Sequence, residues 1–573
     1  MVAQKNADVQ DFDINCGSNY ETKSLQVITI RGAPTGIDGL AEEATAIDES
    51  VLTHRCILPW VFVYSYHIEA EKLKDALEVA LSIHPVLSGR VSPAKPSEVR
   101  GDGSLRKFQL AHTNDGVHFV EASSVLRIQN FTHKAMARKS HNANSGMPMY
   151  CEAIDRWALM RGKEPLMKIK LTHLQDGGSV LAITIAHVAV DGRSFVDFVH
   201  YLAEEYKGKS SSVQHPFHNR LVLEPSTMEA SLLAVRREQK SRMSGVVTAA
   251  GKSLPVRLQS RSDPSGAYKS NVQCEIEGEE TKSEGGECSA SRSHWLDVPT
   301  PSVWGAMSAM WKLGSSLRKQ RQRFPKMGRE LSTEILHIPE GQLRRLRSLA
   351  TASCGPREYV STNDCVGALL WTTICELRGK PLPGVNSMSD GGRLALAIDL
   401  RKNGLEHCVP DNFFGNASWS IQIESEKEEP QAGENSADPT STALCVAARS
   451  IRSNLVKFRE DEEAPIHLVK SLRKLQAAKF SSKVMVISET LLHYDVFMTS
   501  WQFPIWEIDF GCGGPHNFQG IMHPTPPFHA ISFPANPADT GLCLAVTIPA
   551  SAVDRLHNSP VLKRLAPNAK FLT

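Results

Sequence analysis

Several features that would mark a specialised class of protein are missing from this chain of 573 residues. No apolar run approaches the roughly 20 residues that a membrane-spanning helix needs. The polar N-terminal stretch lacks the apolar core of a signal peptide, so we expect a cytoplasmic protein. Lys and Arg number 64 against 62 Asp and Glu, and the resulting net charge of +2 gives no reason to expect nucleic acid or an anionic membrane as a partner.

Cysteine is present without a pattern typical of disulfides or metal sites. The 12 cysteines are scattered along the chain, and no two of them form a C-x-x-C pair. This favours reduced thiols in a cytosolic compartment, and no metal site is expected. A single hydrophobic core rarely grows to this chain length, so two domains are expected.

Polar segments suggest where the domains divide. Residues 262–294 are rich in Ser, Gly and Glu and poor in large apolar residues, so they cannot bury enough surface to offset the entropy of ordering. We predict a disordered linker there, and a second polar stretch, 424–442, is predicted to be a loop. The predicted organisation is an N-terminal domain over 1–225, a partly disordered crossover linker over 226–300 and a C-terminal domain over 301–573.

Hydrophobic periodicity predicts strands and helices in both halves. Residues 26–50 are predicted to be irregular, because Gly and Pro recur there as turn residues. Helices are predicted for EAEKLKDALEVALSIH, GRSFVDFVHYLAEEYKG and VSTNDCVGALLWTTICELRG. Strands are predicted for LPWVFVYSYHI, PLMKIKLTHL, SVLAITIA, LALAIDLR, LLHYDVFMTSW and TGLCLAVTIP.

A histidine stands where the apolar strand SVLAITIA ends, in AHVAVDGRS (186–194). Imidazole exchanges protons near neutral pH, so His187 is a candidate general base. The alternative is a buried histidine satisfied by backbone hydrogen bonds. Asp191 is expected to be structural, as an N-cap or turn residue, and Gly192 is expected to adopt a backbone conformation closed to other residues.

The C-terminal half carries three further candidates. Thr499 and Trp501 alternate in a strand, so a hydroxyl and an indole N–H share one face and can donate to an oxyanion. The alternative is an ordinary sheet face. Arg401 follows an apolar strand and can pair with a buried carboxylate, although a solvated strand end is the other interpretation. Gly415-Asn416 indicates a tight turn.

Together these stretches resemble one family. His187 to Gly192 carries H-x-x-x-D-G, and Asp509-Phe-Gly-Cys-Gly resembles D-F-G-W-G. Both motifs, in this order, are typical of the BAHD acyl-CoA-dependent acyltransferases. Lesser counterparts are HPVLSGR (84–90), HPFHNRLVL (215–223), VSTNDCVGALLW (360–371), IDLR (398–401), NFFGNAS (412–418) and TSW (499–501).

The resemblance implies an α/β fold of two chloramphenicol-acetyltransferase-like domains with a channel between them. It implies that His187 is the base, with Trp501 and Thr499 as oxyanion donors. It implies acyl-CoA as co-substrate, no permanently bound cofactor, a small alcohol or amine as acceptor, a role in specialised metabolism and a monomer. The residues expected to be structural at the site are Asp191, paired with Arg401, and Gly192, Asn416, Asp509, Gly511 and Gly513.

Two features depart from the family, and the role of a third stays open. Cys512 stands where the family usually has Trp, which is expected to loosen a loop linked to donor binding, and the polar insertions are long for the family. The basic stretch 311–326 includes Lys312 and Arg318, which are candidates for holding the 3′-phosphate of coenzyme A. A solvated basic helix face is the alternative.

Two other functions remain open. Condensation-domain and wax-ester-synthase enzymes usually carry a second histidine directly before the first, where this chain has Ala186. A catalytically silent member that binds a small ligand is the alternative outside enzymes. An intact histidine and two oxyanion candidates favour the enzyme.

Overall fold

Two large mixed β-sheets form the frame of the protein in the computed structural model. The structure describes residues 22–50, 53, 56–93, 107–131, 150–247, 331–352, 359–384, 392–425, 438–477, 494–523 and 525–572. The predicted disordered segment 262–294 and the candidates Lys312 and Arg318 lie outside the described residues. The predicted domain boundaries therefore stay predictions.

The described strands are β1 (Thr22–Ile30), β2 (Ala41–Glu43), β3 (Ile57–Tyr64), β4 (Arg90–Pro93), β5 (Phe108–Ala111), β6 (Val117–Ser124), β7 (Met167–Leu174), β8 (Ser179–Ala186), β9 (Leu331–Ile338), β10 (Arg393–Asp399), β11 (Ser418–Glu424), β12 (Val496–Ser500), β13 (Asn517–Gly520), β14 (His529–Pro534), β15 (Leu542–Pro549) and β16 (Lys570–Phe571).

The described α-helices are α1 (Ala70–Ile83), α2 (Arg156–Leu159), α3 (Gly192–Tyr206), α4 (Pro225–Val247), α5 (Glu340–Ala352), α6 (Thr362–Arg378), α7 (Pro439–Glu460), α8 (Ala464–Ala477), α9 (Val553–His557) and α10 (Pro560–Leu565).

The first sheet has the strand order β1-β6-β7-β8-β3-β13. Its inner strands β3 and β8 are buried along their whole length, which explains why both are continuous apolar runs rather than alternating ones. The turn between β7 and β8 places Gly177 at φ 86°, the left-handed backbone expected for that glycine. Helices α1 and α3 pack against each other beside this sheet and share its core.

The second sheet has the order β11-β10-β12-β14-β15-β9-β16, in which β12 lies parallel to both β10 and β14. Helices α5, α6 and α7 pack together against it. Helix α6 begins at a capping box between Ser361 and Asp364 and ends at Gly379, which has a φ of 62°. Strands β10 and β12 end at Asp399 and Ser500, within two residues of the ends of the predicted strands LALAIDLR and LLHYDVFMTSW.

Two predictions for polar stretches need correction. Residues 26–50 are not irregular throughout, because β1 runs to Ile30 along the sheet edge and β2 pairs with β5 near residue 110. Neither partner is visible from local periodicity. In the second stretch, β11 ends at Glu424 and residues 439–442 already belong to α7, which begins at Pro439 behind an Asp438 N-cap. Residues 426–437 lie outside the described residues.

Strand β13 comes from the C-terminal half but pairs with β3 in the first sheet. Its last residue, Gly520, lies among aromatic rings: a Cβ there would be 2.6 Å from the Trp501 ring, 2.7 Å from Phe518 and 3.1 Å from Trp60. Trp60 and Trp501 lie with their ring centroids 4.8 Å apart. The aromatic packing therefore joins residues more than 400 positions apart and requires glycine at 520.

No helix in the described part of the chain is both long and apolar enough to span a membrane.

Replacing Gly520 by alanine tests the aromatic packing. A methyl group closer than 3.0 Å to two rings forces them apart, so Gly520→Ala is expected to destabilise the fold by about 1–3 kcal/mol. Gly341→Ala is the matched control, since no atom lies within 4 Å of the added Cβ in helix α5. Thermal melts of both should show a lower midpoint for Gly520→Ala alone; equal midpoints would disprove the packing argument.

Candidate active site

A cleft of about 950 Å³, partly open to solvent, lies between the two sheets. One wall comes from the end of β8 and the start of α3, and the other from the ends of β10 and β12 and the start of β11 and β14. Its exposed surface is mainly apolar, although polar and charged side chains also line it. Its lining residues include Leu58, His187, Asp191, Gly192, Arg193, Asp399, Arg401, Trp419, Phe497, Thr499, Trp501, Phe503, Met522 and His529. A concave, mainly apolar surface with a few polar groups is typical of small-molecule sites.

His187 directly follows β8 and is half-buried at the edge of the cleft. Its backbone N–H donates to Cys56 O at 2.9 Å, so the strand edge fixes the chain at this point. Its ring Nδ1 lies 3.1 Å from Asn416 Oδ1. Because this hydrogen bond uses Nδ1, Nε2 is the ring nitrogen left for the cleft.

The orientation of the Asn416 amide decides the tautomer of His187. Asn416 Nδ2 donates to Asp48 Oδ1 at 2.7 Å and to His187 O at 2.8 Å. Because both partners are hydrogen-bond acceptors, the amide nitrogen must point toward them, and the amide oxygen Oδ1 then points toward the His187 ring. An amide oxygen only accepts hydrogen bonds, so Nδ1 of His187 carries the proton and Nε2 of the neutral ring is unprotonated.

Asp191 faces away from His187 and lies in a buried ion pair with Arg401. Arg401 Nη1 lies 2.9 Å from Asp191 Oδ2, and the guanidinium side chain is fully buried. Asp191 also caps α3 by accepting from Ser194 N at 3.0 Å, and it accepts from Ala417 N at 2.9 Å. Asp191 is therefore both the N-cap of α3 and the ion-pair partner of Arg401.

The same guanidinium binds the loop that carries Asn416. Arg401 donates to Phe413 O and Gly415 O, each at 3.1 Å, and to Ser194 Oγ at 3.1 Å. Burial by itself would raise the pKa of Asp191, but the charge and hydrogen bonds of Arg401 together lower it below its usual value. The pair fixes the start of α3 against residues 413–417.

The conformational role expected for Gly192 is wrong. Gly192 is the first residue of α3, and it is not among the glycines that have a positive φ in the described part of the chain. A Cβ at 192 would lie 3.4 Å from the Phe503 ring and 3.5 Å from Trp501 Nε1, which are ordinary van der Waals distances. The indole N–H of Trp501 therefore lies close to the start of the helix, but this packing does not require glycine at 192.

Thr499 and Trp501 line the cleft together with His187. Thr499 Oγ1 lies 3.3 Å from His529 Nε2, and the Trp501 ring packs on Trp60. Burial lowers the pKa of His529 to about 3, so this imidazole is neutral at physiological pH. The cleft thus combines a base candidate with two hydrogen-bond donor candidates.

Internal hydrogen bonds fix the conformation of the loop after β12. Asp509 Oδ1 accepts from Gly511 N at 2.6 Å and from Gly513 N at 2.7 Å, and both glycines have positive φ, 120° and 106°. Burial raises the pKa of Asp509, but these hydrogen bonds and Lys207 lower it overall. Phe510 packs on Tyr64 and Tyr206, while Cys512 is exposed and does not line the cleft.

Sequence reasoning missed two residues at the site. Asp48 lies in the stretch predicted to be irregular, yet it is fully buried and binds Asn416. His529 lies next to Thr499 because β14 pairs with β12. Both contacts depend on long-range pairing, which no local pattern shows.

The profile of the Transferase family matches residues 59–256 and 316–560. Over 175 residues the chain is 27% identical to the hydroxycinnamoyl-CoA:piscidic acid hydroxycinnamoyltransferase of Actaea racemosa. That alignment covers 29% of this chain and 35% of the relative, so the match spans about a third of the relative's length.

Two solved structures share the fold. Vinorine synthase superposes with a TM-score of 0.54 at 13% identity, covering 95% of this chain and 98% of its own. TRI101 of F. graminearum, solved with ethyl coenzyme A, superposes with a TM-score of 0.57 at 15% identity, covering 93% and 100%. The predicted α/β fold of two chloramphenicol-acetyltransferase-like domains is confirmed.

Removing the charge of Asp191 tests the buried ion pair. Asp191→Asn leaves Arg401 with a weaker set of partners, and a loss of about 3 kcal/mol of stability at pH 7 is expected. Because the folded pKa is lowered, the stabilisation is present above the unfolded value of about 4 and disappears as pH falls through the folded value.

Thermal melts across pH measure this effect. The midpoint gap between wild type and Asp191→Asn should be constant near neutral pH and narrow below about pH 4. Asp197→Asn is the control, since Asp197 pairs with Arg193 in a partly exposed i,i+4 contact. A gap no larger than that of the control would show that the pair does not stabilise the fold.

Proposed function

The chain belongs to the Transferase family, the family of the BAHD acyltransferases, and from this premise we propose that it transfers an acyl group from coenzyme A to a hydroxyl group of a small molecule. His187 is the general base of this proposal. The observation that carries it is the hydrogen bond between His187 Nδ1 and Asn416 Oδ1, which leaves an unprotonated Nε2 for the cleft.

The reaction needs one proton acceptor that later returns the proton. Nε2 of His187 takes the proton of the acceptor hydroxyl while its oxygen attacks the thioester carbonyl and forms a tetrahedral oxyanion. When the intermediate collapses, the carbon–sulfur bond breaks and His187 gives the proton to the leaving thiolate. The products are the acylated acceptor and free coenzyme A, and His187 returns to its starting state.

The oxyanion needs donors that are in place before the reaction. Trp501 Nε1 and the Thr499 hydroxyl are the donors of the proposal, because both line the cleft with His187. The indole lies against Trp60 and beside Gly192, so little reorganisation is needed. Asp191 and Arg401 act structurally in this account, as do Gly192, Asn416 and the loop of Asp509, Gly511 and Gly513.

The co-substrate proposal draws on the shared fold and on the cleft. Two solved structures of TRI101 contain coenzyme A or its ethyl derivative. The aromatic wall of Trp419, Phe497 and Phe503 suits the apolar part of an acyl group or acceptor. An amine acceptor fits the same chemistry, since the base would take its proton in the same way. No permanently bound cofactor is needed.

Removing the imidazole tests the base directly. His187→Ala is expected to lose on the order of 10²–10⁴ in the rate of acyl transfer. His67→Ala, at an exposed position between β3 and α1, is the control and should match wild type. A mass-spectrometric screen of acetyl-, malonyl-, long-chain and aromatic acyl-CoA against mixed alcohols and amines supplies the substrate pair.

Release of free coenzyme A without an acceptor separates the enzyme from a silent binder. Wild type should hydrolyse the accepted acyl-CoA slowly, and His187→Ala should not. Identical rates in both proteins would favour a ligand-binding member without catalysis.

The indole donor is tested by a pair of matched substitutions. Trp501→Phe keeps the ring packing but removes the N–H, so kcat should fall by roughly 10²–10³ with little change in the KM for acyl-CoA. Trp506→Phe removes an indole that donates to Pro534 O at 3.0 Å and does not line the cleft. Equal kcat values for the two variants would remove Trp501 from the oxyanion site.

A further inference from the structure

The fully buried carboxylate of Asp48 accepts a hydrogen bond from Asn416, the residue that also binds the His187 ring. Asp48 belongs to the buried turn after β2 and has no exposed surface. Its Oδ1 accepts from Asn416 Nδ2 at 2.7 Å, the shortest of the contacts of that amide. The three side chains Asp48, Asn416 and His187 therefore form a continuous chain of hydrogen bonds ending at the cleft.

The charge of Asp48 is balanced on its far side. Arg220 Nη1 lies 3.1 Å from Asp48 Oδ2, and Arg220 Nε lies 3.0 Å from Glu42 Oε2. Arg220 Nη2 also donates to Ala189 O, in the loop between His187 and Asp191. Glu42 in turn lies 2.9 Å from His112 Nε2. Asp48 thus has a paired charge and one oxygen directed at the amide.

An amide that donates to a carboxylate becomes a better acceptor at its own oxygen. Donation from Nδ2 polarises the side chain of Asn416 and increases the negative charge on Oδ1. A more negative Oδ1 holds the proton on His187 Nδ1 more firmly. It also stabilises the imidazolium that forms once Nε2 has taken a proton, as a carboxylate does when it contacts a catalytic histidine directly.

We propose that Asp48 is a positioning residue for acyl transfer, which acts through Asn416 to keep His187 in the Nδ1–H tautomer and to stabilise its protonated state. The inference rests on the proposed role of His187 as base. Asp48 has no contact with the cleft, so it acts on the rate of the chemical step rather than on substrate binding.

Other ionisable groups also lie near Asp48 and His187, and the Asp48→Asn variant leaves all of them unchanged. The groups around Asp48 are Arg220, Glu42 and His112, with the buried pair of Glu49 and Arg473 next to them. The groups that share the cleft with His187 are Asp191, Arg193, Asp399, Arg401 and His529. The Cys56 thiol beside β8 is neutral, because burial raises its pKa to about 12.

The test compares Asp48→Asn with Glu42→Gln. Both variants remove one carboxylate from Arg220, so both should lower thermal stability. Only Asp48→Asn changes the partner of Asn416. It is expected to lower kcat on the order of 10-fold, with the KM for acyl-CoA unchanged. The acid limb of the kcat/KM profile should shift to lower pH, because the imidazolium loses a nearby negative charge.

The outcomes separate the two levels of the proposal. Wild-type kcat and an unshifted acid limb in Asp48→Asn overturn the role of Asp48, as does the same change in Glu42→Gln. If His187→Ala keeps full activity, the proposed function itself is wrong, whatever Asp48 does. If His187→Ala is inactive but Asp48→Asn and Glu42→Gln have the same kcat and the same pH profile, only the inference about Asp48 is rejected.

A second variant covers the case in which Asp48→Asn does not fold. Asp48→Glu keeps the charge beside Arg220 but moves the carboxylate off the Asn416 amide by one methylene. The same loss of kcat at unchanged KM is expected of it. A folded Asp48→Glu with wild-type kcat contradicts the proposal.

Discussion

The buried guanidinium of Arg401 is the contact on which the site depends. It binds the carboxylate of Asp191 at the start of α3 and the carbonyls of Phe413 and Gly415 in the loop before β11. These contacts fix the loop that presents Asn416, and Asn416 in turn determines which nitrogen of His187 is protonated. A buried charge with this many partners holds one geometry, because each alternative leaves polar groups unpaired.

The histidine and the aspartate of the H-x-x-x-D-G motif therefore have different roles. The histidine ends a buried strand, and its ring reaches the cleft. The aspartate, four residues later, turns into the protein and works as an N-cap and ion-pair partner. The glycine has ordinary backbone angles and lies next to Trp501 and Phe503. Spacing alone gives none of these orientations.

Much of the fold was predictable from the sequence, because buried strands and amphipathic helices leave local patterns. The apolar runs of β3 and β8 and the helical spacing of α3 and α6 correspond to elements of the structure. The stretch before residue 50 was missed, because β1 and β2 pair only with distant strands. The local sequence indicates only a turn at Asn416, and the family resemblance alone assigns it to the site. Its contact with His187 spans 229 positions of the chain, so no local pattern shows it.

The state of the His187 ring tests the central claim most directly. In protein labelled with ¹⁵N-histidine, the resonances of His187 are those lost in His187→Gln. The account predicts that at neutral pH Nδ1 gives the chemical shift of a protonated nitrogen and Nε2 that of an unprotonated one. A protonated Nε2 with an unprotonated Nδ1 would contradict it, because the nitrogen facing the cleft would then have no lone pair to accept a proton.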